Sequence, residues 1–354
     1  MFGFRPGLST QDVLLQIKEE IIDHVSTQQT KAILALDLKG AFDNVAHDLI
    51  LTNLAATKCG RRLYNYVRAF LKDRTATIGI GNIRSDCISL AGKGTPQGSV
   101  LSPALFNIAM SRLPPLLDAK PGIKHALYAD EITIWATSGS DGEIQDALQA
   151  AADVTQQYAR AGGLTYAAQK SELLIVKKRQ RKHHLPPDIT VTIEGEPVNK
   201  VNKLRLLGLH VQANAKATYT LTLLKEQINQ VMHMIRRVTN RRHGLKESDV
   251  LCIIHALIVS RIIYHAPYHR LTQKQTDQLD ILIRTAVKTA TGLPIYTSTV
   301  RLFQLGLHNT MAELIEAQEV NQIERVKRTS TGRHALRQLR YPTSQFAPRE
   351  PLSI

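Results

Sequence analysis

A pair of adjacent carboxylates inside an apolar stretch constrains this chain more than any other feature. Asp130 and Glu131 interrupt the run at 127–134, in which most other residues are apolar or β-favouring. The segments 123–127 and 132–135 predict two short strands with the acids at the turn between them. Because burying a charge in a strand core is costly, a turn that gathers acids indicates a cation. Mg²⁺ suits this place, since it takes oxygen ligands from one or two carboxylates and from substrate phosphates.

A second carboxylate lies far upstream. Asp37 interrupts the apolar segment 32–38, which predicts a strand. The separation from Asp130 is too long for a local motif and is natural for neighbouring strands of one sheet. Two such strands side by side predict a site that holds two metal ions for an in-line phosphoryl displacement.

A glycine-rich loop at 92–98 contains Pro96-Gln97-Gly98 and precedes a helical pattern at 100–113. Gly98 lets the backbone approach a ligand closely, and the N–H groups at a helix N-terminus favour anions. Taken alone, the pattern fits a glycine-rich turn without a ligand better than a binding loop.

Taken in order, these motifs resemble the palm of a reverse transcriptase, in the form found in non-LTR (LINE-type) retrotransposons. The resemblance rests on Asp37 with Phe42-Asp43, on the segment 94–103, and on Tyr128-Ala129-Asp130-Glu131, and it runs from about residue 2 to about residue 314. It implies an α+β fold: a right-hand polymerase with a split βαβ palm sheet flanked by helices, partial fingers and a helical thumb.

The resemblance also implies an order of parts along the chain. The family has a further fingers region upstream with basic residues, so we expect an N-terminally truncated copy or fragment. The expected parts are the end of the fingers (1–30), the palm with a fingers insertion (31–188), a primer-grip-like β region (189–215), a helical thumb with its extension (216–330) and a tail (331–354).

The resemblance assigns metal binding and catalysis to Asp37, Asp130 and Glu131. The expected cofactor is a pair of Mg²⁺ ions, for which Mn²⁺ is a substitute. Glu131 departs from the family, which has a second Asp at this place. The extra methylene moves the carboxylate by about 1 Å, and a misplacement of about 1 Å can cost on the order of a hundredfold in rate. Glu131 therefore either weakens catalysis or is tolerated at this position.

Other residues take roles by resemblance, each beside an ordinary alternative. Phe42 resembles a gate that excludes a 2′-hydroxyl, or it is a core aromatic. Gln97 and Gly98, with Pro96, are expected to contact the template and the incoming nucleotide. Asp43 either serves the site or caps a helix. Lys170 either donates a proton to the leaving pyrophosphate or is an exposed lysine. The primer-grip hairpin corresponds to Leu206, Leu207 and Gly208.

The chain is strongly basic, with a net charge of +15. Such an excess suits a polyanionic partner, of which nucleic acid is the first candidate, and on charge alone a basic surface without a partner fits equally well. The basic run at 177–184 is either a solvated loop or a backbone contact. Four arginines near the end of a thumb-like helix predict a salt-dependent grip on phosphates, although cations also suit helix C-termini. They are Arg236, Arg237, Arg241 and Arg242.

Three scattered cysteines form neither a metal spacing nor a disulfide framework. A reducing, intracellular location in the cytoplasm or nucleus is the simpler expectation. The most apolar helical segment, 251–264, is interrupted by His255 and Arg261 and is expected to be too short to span a bilayer. We therefore expect no membrane partner.

Two classes of function remain open beside a third, less favoured one. The first is an RNA-directed DNA polymerase that extends a DNA primer on an RNA template with deoxynucleoside triphosphates. The second is a nucleic-acid-binding remnant without turnover, favoured by Glu131 and the start at Met1. The third, an RNA-dependent RNA polymerase, shares the palm but fits Phe42 and the Tyr-Ala before Asp130 less well.

Overall fold

The computed structural model describes residues 1–26, 29–90, 92–177, 188–239, 244–304 and 309–341. It divides into two compact units. Unit 1 comprises Met1–Thr10 with Ser26–Asn202, and unit 2 comprises Gln11–Val25 with Lys203–Ile354.

Strands and helices are numbered in chain order. The strands are β1 (Lys31–Asp37), β2 (Thr75–Ala76), β3 (Gly79–Ile80), β4 (Ile83–Arg84), β5 (Ile88–Ser89), β6 (Lys124–Tyr128), β7 (Glu131–Ala136), β8 (Glu172–Val176), β9 (Thr192–Ile193), β10 (Glu196–Pro197), β11 (Asn199–Val201), β12 (Lys203–Leu206) and β13 (Leu209–Gln212). The α-helices are α1 (Thr10–Ile17), α2 (Ala41–Asn44), α3 (His47–Ala56), α4 (Arg61–Leu71), α5 (Ser102–Met110), α6 (Leu113–Asp118), α7 (Asp141–Ala161), α8 (Thr218–Val238), α9 (Glu247–Ile254), α10 (Ser260–His265), α11 (Gln273–Ala290), α12 (Thr299–Gln304), α13 (Met311–Lys327) and α14 (Ser330–Gln338).

Unit 1 is built on a five-stranded sheet in the order β11-β8-β1-β7-β6. The central strand β1 runs antiparallel to both β7 and β8, and β11 runs parallel to β8. Its run of apolar residues suits a strand flanked on both edges, and Ile33, Leu34 and Leu36 are buried. The predicted strands around Asp37 and around the acidic turn are therefore confirmed.

One face of this sheet is covered by helices. Leu34, Leu36, Ile132 and Ile134 share a buried core with side chains of α3, α5 and α7. Helix α7 begins with a capping box, in which Ser140 accepts from the Glu143 N–H while the Glu143 carboxylate accepts from the Ser140 N–H. It ends before Gly162-Gly163, as the sequence predicts.

A two-stranded ribbon at 75–90 projects from unit 1. β2 pairs with β5 and β3 with β4, so the ribbon consists of two short ladders with an offset between them. The ribbon exposes large apolar side chains to an unusual degree. These are Ile78, Ile80, Ile83, Ile88 and Leu90, of which Ile80 is 78% and Ile83 77% exposed.

Unit 2 is mostly helical. Its core is formed by apolar side chains of α8, α9, α11 and α13, as the helical patterns predict. The hairpin β12–β13 also belongs to this unit. Strand β11, which precedes this hairpin in the sequence, pairs with β8 and so extends the sheet of unit 1. The segment 189–215 is therefore shared between the units and is not one β region.

The C-terminal segment also differs from the sequence prediction. Residues 330–338 form helix α14, where a tail was expected from residue 331, because Ala335 and Leu336 have a core to pack against. Residues 342–354 lie outside the described part of the chain.

Helix formation also continues across the most apolar segment. α9 passes through a π-helical turn at His255–Val259 into α10, so His255 and Arg261 do not end it. The resulting 22-residue stretch Glu247–Tyr268 is long and apolar enough to cross a membrane, by length and composition only. The expectation that it is too short is wrong. A core helix passes the same test, and Val250, Ile254, Ile258 and Ile262 are buried in unit 2.

Candidate active site

The two predicted carboxylate strands lie side by side in unit 1. Asp37, at the end of β1, is directly opposite Glu131, at the start of β7. Residues opposite each other in an antiparallel pair have their Cβ atoms roughly 4.5–5.5 Å apart and point to the same face. Asp130 precedes Glu131 in the β6–β7 turn. The fold therefore places Asp37 opposite Glu131, with Asp130 next to Glu131 in the adjoining turn.

The acidic turn is held by a segment from the beginning of the chain. Ala129 has a φ of 54°, which is unfavourable for a residue with a side chain. The Phe2 N–H donates to the Leu127 carbonyl at 2.8 Å. A Cβ on Gly3 would lie 2.6 Å from the Ala129 nitrogen, so only glycine fits beside this turn. Apart from the glycine itself, no local pattern indicates this contact.

Lys170 reaches the carboxylate of Asp37. Its Nζ lies 3.4 Å from Oδ2 of Asp37, and its side chain is 74% exposed. The backbone brings it there, because the Ala167 N–H donates to the Asp37 carbonyl at 2.9 Å and Tyr166 bridges to Leu38. This position makes a positive, solvent-accessible group available at the carboxylate site.

Phe42 lies in a row of aromatic rings. It is half-buried, stacks on Phe106 with ring centroids 4.7 Å apart, and meets Phe4 edge-on at 6.2 Å. Its carbonyl accepts from the Thr95 N–H at 2.7 Å. The ring is thus firmly positioned by packing, and its role as a sugar gate stays a prediction.

The glycine-rich loop packs against the turn that follows Asp37. Gly94 has a φ of 82°, and a Cβ there would lie 2.6 Å from the Asp43 carbonyl oxygen. Gln97 donates through Nε2 to the carboxylate of Asp43, and both side chains are exposed. Asp43 is the third residue of α2, after an N-cap at Gly40, so its side chain is a partner of the loop and not an N-cap. Gly98 has a φ of 90° with open space around it.

The donor set at the carboxylates was compared with that of a divalent metal site. Among the described residues, no group of three or more His, Cys, Asp or Glu is placed to hold an ion by itself. Mg²⁺ is commonly held by one or two carboxylates together with substrate phosphates, without an all-protein cage. Asp37 and Glu131 on facing strands, with Asp130 adjacent, fit that kind of site.

In unit 2, the predicted primer-grip residues form a tight hairpin turn. Leu207 and Gly208 have φ values of 46° and 88°, as a two-residue type I′ turn requires. The Tyr264 hydroxyl donates to the Leu207 carbonyl at 2.6 Å, and the Tyr264 ring packs on Gly208. Leu206 is 2% exposed, so its side chain serves the core. Sequence reasoning missed Tyr264, which is distant along the chain.

The predicted basic contacts are only partly described. Arg236 and Arg237 are exposed in the last turn of α8. Arg241 and Arg242 lie outside the described residues, as do residues 178–184 of the basic run. Their contact with phosphates stays a prediction.

Comparison with known proteins decides the family. Residues 1–211 match the family described as reverse transcriptase (RNA-dependent DNA polymerase). The chain belongs to the reverse transcriptase family. This confirms the predicted reverse transcriptase, and with it the α+β polymerase class. The family description favours a nucleic-acid template and dependence on a divalent metal.

Relatives of this reverse transcriptase come from non-LTR elements, as predicted. The chain is 22% identical over 304 residues to the RNA-directed DNA polymerase from mobile element jockey of Drosophila funebris, covering 84% of this chain and 32% of the relative. It is 26% identical over 279 residues to the Pol polyprotein from type-1 retrotransposable element R2 of Popillia japonica, covering 76% and 38%. The chain thus spans between a quarter and two fifths of the first relatives it matches.

Among solved structures, the apo telomerase from Candida tropicalis is similar at 11% identity. The match covers 92% of this chain and 54% of that chain, with a TM-score of 0.43. A similarity at this level carries no further argument about the reverse transcriptase described here.

Proposed function

We propose that this chain is the polymerase part of a non-LTR retrotransposon reverse transcriptase. It adds deoxynucleotides from their triphosphates to a DNA primer 3′ end on an RNA template, inside the cell, in the cytoplasm or nucleus. The observation that carries the proposal is the direct opposition of Asp37 and Glu131 on neighbouring strands, with Asp130 in the adjoining turn.

Asp37 and Asp130 are the proposed ligands of two Mg²⁺ ions, with Mn²⁺ as a substitute and Glu131 beside them. Divalent ions bound there lower the pKa of the primer hydroxyl and neutralise charge on the triphosphate. The protein positions the carboxylates. Gly3 packs against the β-turn, and the antiparallel pairing of β1 with β7 fixes the register of the acids. Such positioning is what a nucleotidyl transfer most requires from the protein.

Surrounding residues complete the proposed site. Lys170, 3.4 Å from Asp37, is placed to donate a proton to the leaving pyrophosphate. Phe42 is proposed as the gate beneath the sugar, and its ring is held by Phe106. Gln97 and Gly98 are proposed to meet the template and the nucleotide. Gly98 supports this because its left-handed backbone has open space around it.

A specific observation favours a second candidate, a nucleic-acid-binding remnant without turnover. Glu131 is the residue that faces Asp37 across the strands. Its extra methylene therefore changes the distance between these two carboxylates. The proposal of an enzyme and that of a remnant differ only in turnover, and both predict binding of a primer–template.

Primer extension on an RNA template, in Mg²⁺ and separately in Mn²⁺, tests the proposal. The given chain is compared with Asp37→Ala and Glu131→Asp. Asp86→Ala is the matched control, because it removes an exposed carboxylate from the ribbon of the same unit. We expect extension by the given chain and by the control, loss of at least a hundredfold in Asp37→Ala, and equal or higher activity in Glu131→Asp.

Each other outcome has a defined meaning. Activity only in Glu131→Asp identifies Glu131 as the damaging change in an otherwise complete site. If all variants fail to extend but bind primer–template with a steep salt dependence, the remnant replaces the enzyme. Retention of activity in Asp37→Ala overturns the assignment of the site.

A further inference from the structure

The outer face of α4 in unit 1 carries an unusual concentration of positive charge. Arg61, Arg62 and Arg68 are all exposed on this helix, and Lys72 follows its end. None of the three arginine side chains forms an ion pair with another described residue of the chain. The nearest acid along the chain, Asp73, is already paired with Lys72 at 3.2 Å. The face is therefore positive without local compensation.

These arginines do not serve the helix itself. Arg61 and Arg62 lie in the first turn, which contains no acid. The positive end of the helix dipole disfavours cations there. The helix is anchored by its other face, where Val67 and Leu71 are buried in the core of unit 1. Packing and the helix dipole therefore do not account for Arg61 and Arg62, and an exposed basic cluster of this kind suits an anionic partner.

The face also carries an aromatic side chain among the arginines. Tyr66 is 58% exposed. It lies on the same side of the helix as Arg62, one turn later, whereas Arg61 and Arg68 form a second stripe, about 10 Å long at 1.5 Å per residue, on the other flank of the exposed face. An exposed ring beside such cations suits stacking of a base.

This face is distinct from the carboxylate site. α4 packs into the helical layer that covers the sheet face of Leu34 and Leu36. Asp37 and Glu131, which alternate with Leu36 and Ile132, point their side chains to the opposite face of the sheet. A nucleic acid on the outer face of α4 is therefore not the segment that is being copied at the carboxylates.

We propose that the outer face of α4, formed by Arg61, Arg62, Tyr66 and Arg68, is a second binding surface for single-stranded RNA. It holds the phosphate backbone by the three arginines and one base by Tyr66, away from the candidate active site. The surface does not require turnover, so it belongs to an enzyme and to a remnant alike. An acidic polypeptide would satisfy the charges but would leave Tyr66 without a function.

The test measures binding of a labelled 20-nucleotide single-stranded RNA to the full chain by fluorescence anisotropy, over a series of salt concentrations. The triple variant Arg61→Gln/Arg62→Gln/Arg68→Gln is compared with the triple variant Arg328→Gln/Arg333→Gln/Arg337→Gln. The second variant removes the same charge from exposed positions around α14. Matched thermal unfolding confirms that both variants are folded.

We expect the α4 triple variant to lower the slope of log K against log salt by about 2, at about 0.7 per phosphate contact on a single strand. The α14 variant should keep the slope of the original chain. Replacement of the same three arginines by lysine should restore most of the slope, since lysine also binds phosphate. Tyr66→Ala should weaken binding by roughly 5- to 100-fold without changing the slope, as expected for loss of one stacked base.

Three outcomes overturn the proposal. In the first, the α4 triple variant binds RNA like the original chain. In the second, both triple variants lower the salt slope equally, which indicates that net charge alone binds the RNA. In the third, polyglutamate of equal charge displaces the RNA from the original chain as effectively as unlabelled RNA does, and Tyr66→Ala has no effect. That result assigns the surface to acidic polypeptides. None of these outcomes depends on primer extension, so the proposed function is tested separately.

Discussion

Gln97 donates through its Nε2 to both carboxylate oxygens of Asp43, at 3.0 and 3.1 Å. This pair joins the glycine-rich loop to the turn that follows Asp37. A loop residue that the proposal assigns to the template and nucleotide is thereby held in place before any ligand arrives. Positioning of this kind lowers the cost of ordering the loop on binding.

Substitution of Asp43 by Ala tests this positioning. A net hydrogen bond to a charged group contributes about 1.5–3 kcal/mol when buried, and less at an exposed site such as this one. If the substitution removes about 1 kcal/mol of the free energy of nucleotide binding, we expect KM for the incoming nucleotide to rise about fivefold, with a smaller change in kcat. Steady-state primer extension measures both constants. The control is Asp48→Ala, which removes another exposed acid. An unchanged KM in Asp43→Ala would show that Gln97 does not act through Asp43.

Gly94 and Gly98 lie in one loop and both have positive φ, but they differ in their surroundings. Gly94→Ala places a Cβ 2.6 Å from the Asp43 carbonyl oxygen, whereas Gly98→Ala meets open space. We expect Gly98→Ala to lower the free energy of unfolding by about 1 kcal/mol from backbone strain alone, and Gly94→Ala by about 3 kcal/mol. Urea denaturation measures the difference. Equal losses would show that the loop moves away from Asp43 freely.

His269 predicts a pH dependence of stability in unit 2. It is buried, its Nε2 has no hydrogen-bond partner among the described residues, and its pKa is lowered to about 4 by burial and by His265 and His210. The folded state thus favours the neutral ring. Its stabilising contribution is complete above pH 6.5, the ordinary pKa of histidine, and is lost as the pH falls from 6.5 towards 4.

The measurement compares the original chain with His269→Phe, which keeps a ring but does not titrate. Between pH 7.5 and pH 5, we expect the original chain to lose about 2 kcal/mol of unfolding free energy relative to the variant. Thermal or urea unfolding at each pH gives the difference. Parallel curves for the two proteins would exclude His269 as the source of acid sensitivity.

A buried ion pair in unit 2 connects residues near the two ends of the chain. Arg325 donates to both carboxylate oxygens of Asp12, at 2.6 and 2.9 Å, and Asp12 is 3% exposed. Arg325→Met leaves a buried carboxylate without its cation, which should cost about 3 kcal/mol of unfolding free energy.

The double variant Asp12→Leu/Arg325→Met removes both charges. It should cost less than Arg325→Met alone, because no uncompensated charge remains. Urea unfolding of the two single variants and the double variant completes the cycle. Additive losses would mean that the two side chains contribute independently of each other.

The elements of the candidate site that local pattern controls were predictable from the sequence. β1, β6 and β7 are short apolar runs ended by acids, and this combination predicts both the strands and the place of the charges. Opposition of Asp37 and Glu131 follows once the two strands are neighbours. The helices of unit 2 were likewise predictable from their apolar periodicity, because each buries one face.

Features that depend on distant pairing were not predictable. The contact of Gly3 with Ala129, the bond from Tyr264 to Leu207 and the addition of β11 to the sheet all join segments far apart in sequence. No local pattern encodes such contacts. The continuous helix across His255 differs from the sequence prediction for another reason: His255 and Arg261 interrupt the apolar pattern, but a helix with one buried face accommodates polar residues on its other side.

The apolar ribbon at 75–90 has a practical consequence for handling this protein. Ile80 and Ile83 are paired across its tip and face solvent. Exposed apolar strand ribbons of this kind are sites at which protein copies adhere as concentration rises. We therefore expect a lysine at each of the two tip positions to raise the concentration at which the protein stays monodisperse, while leaving the core of unit 1 untouched.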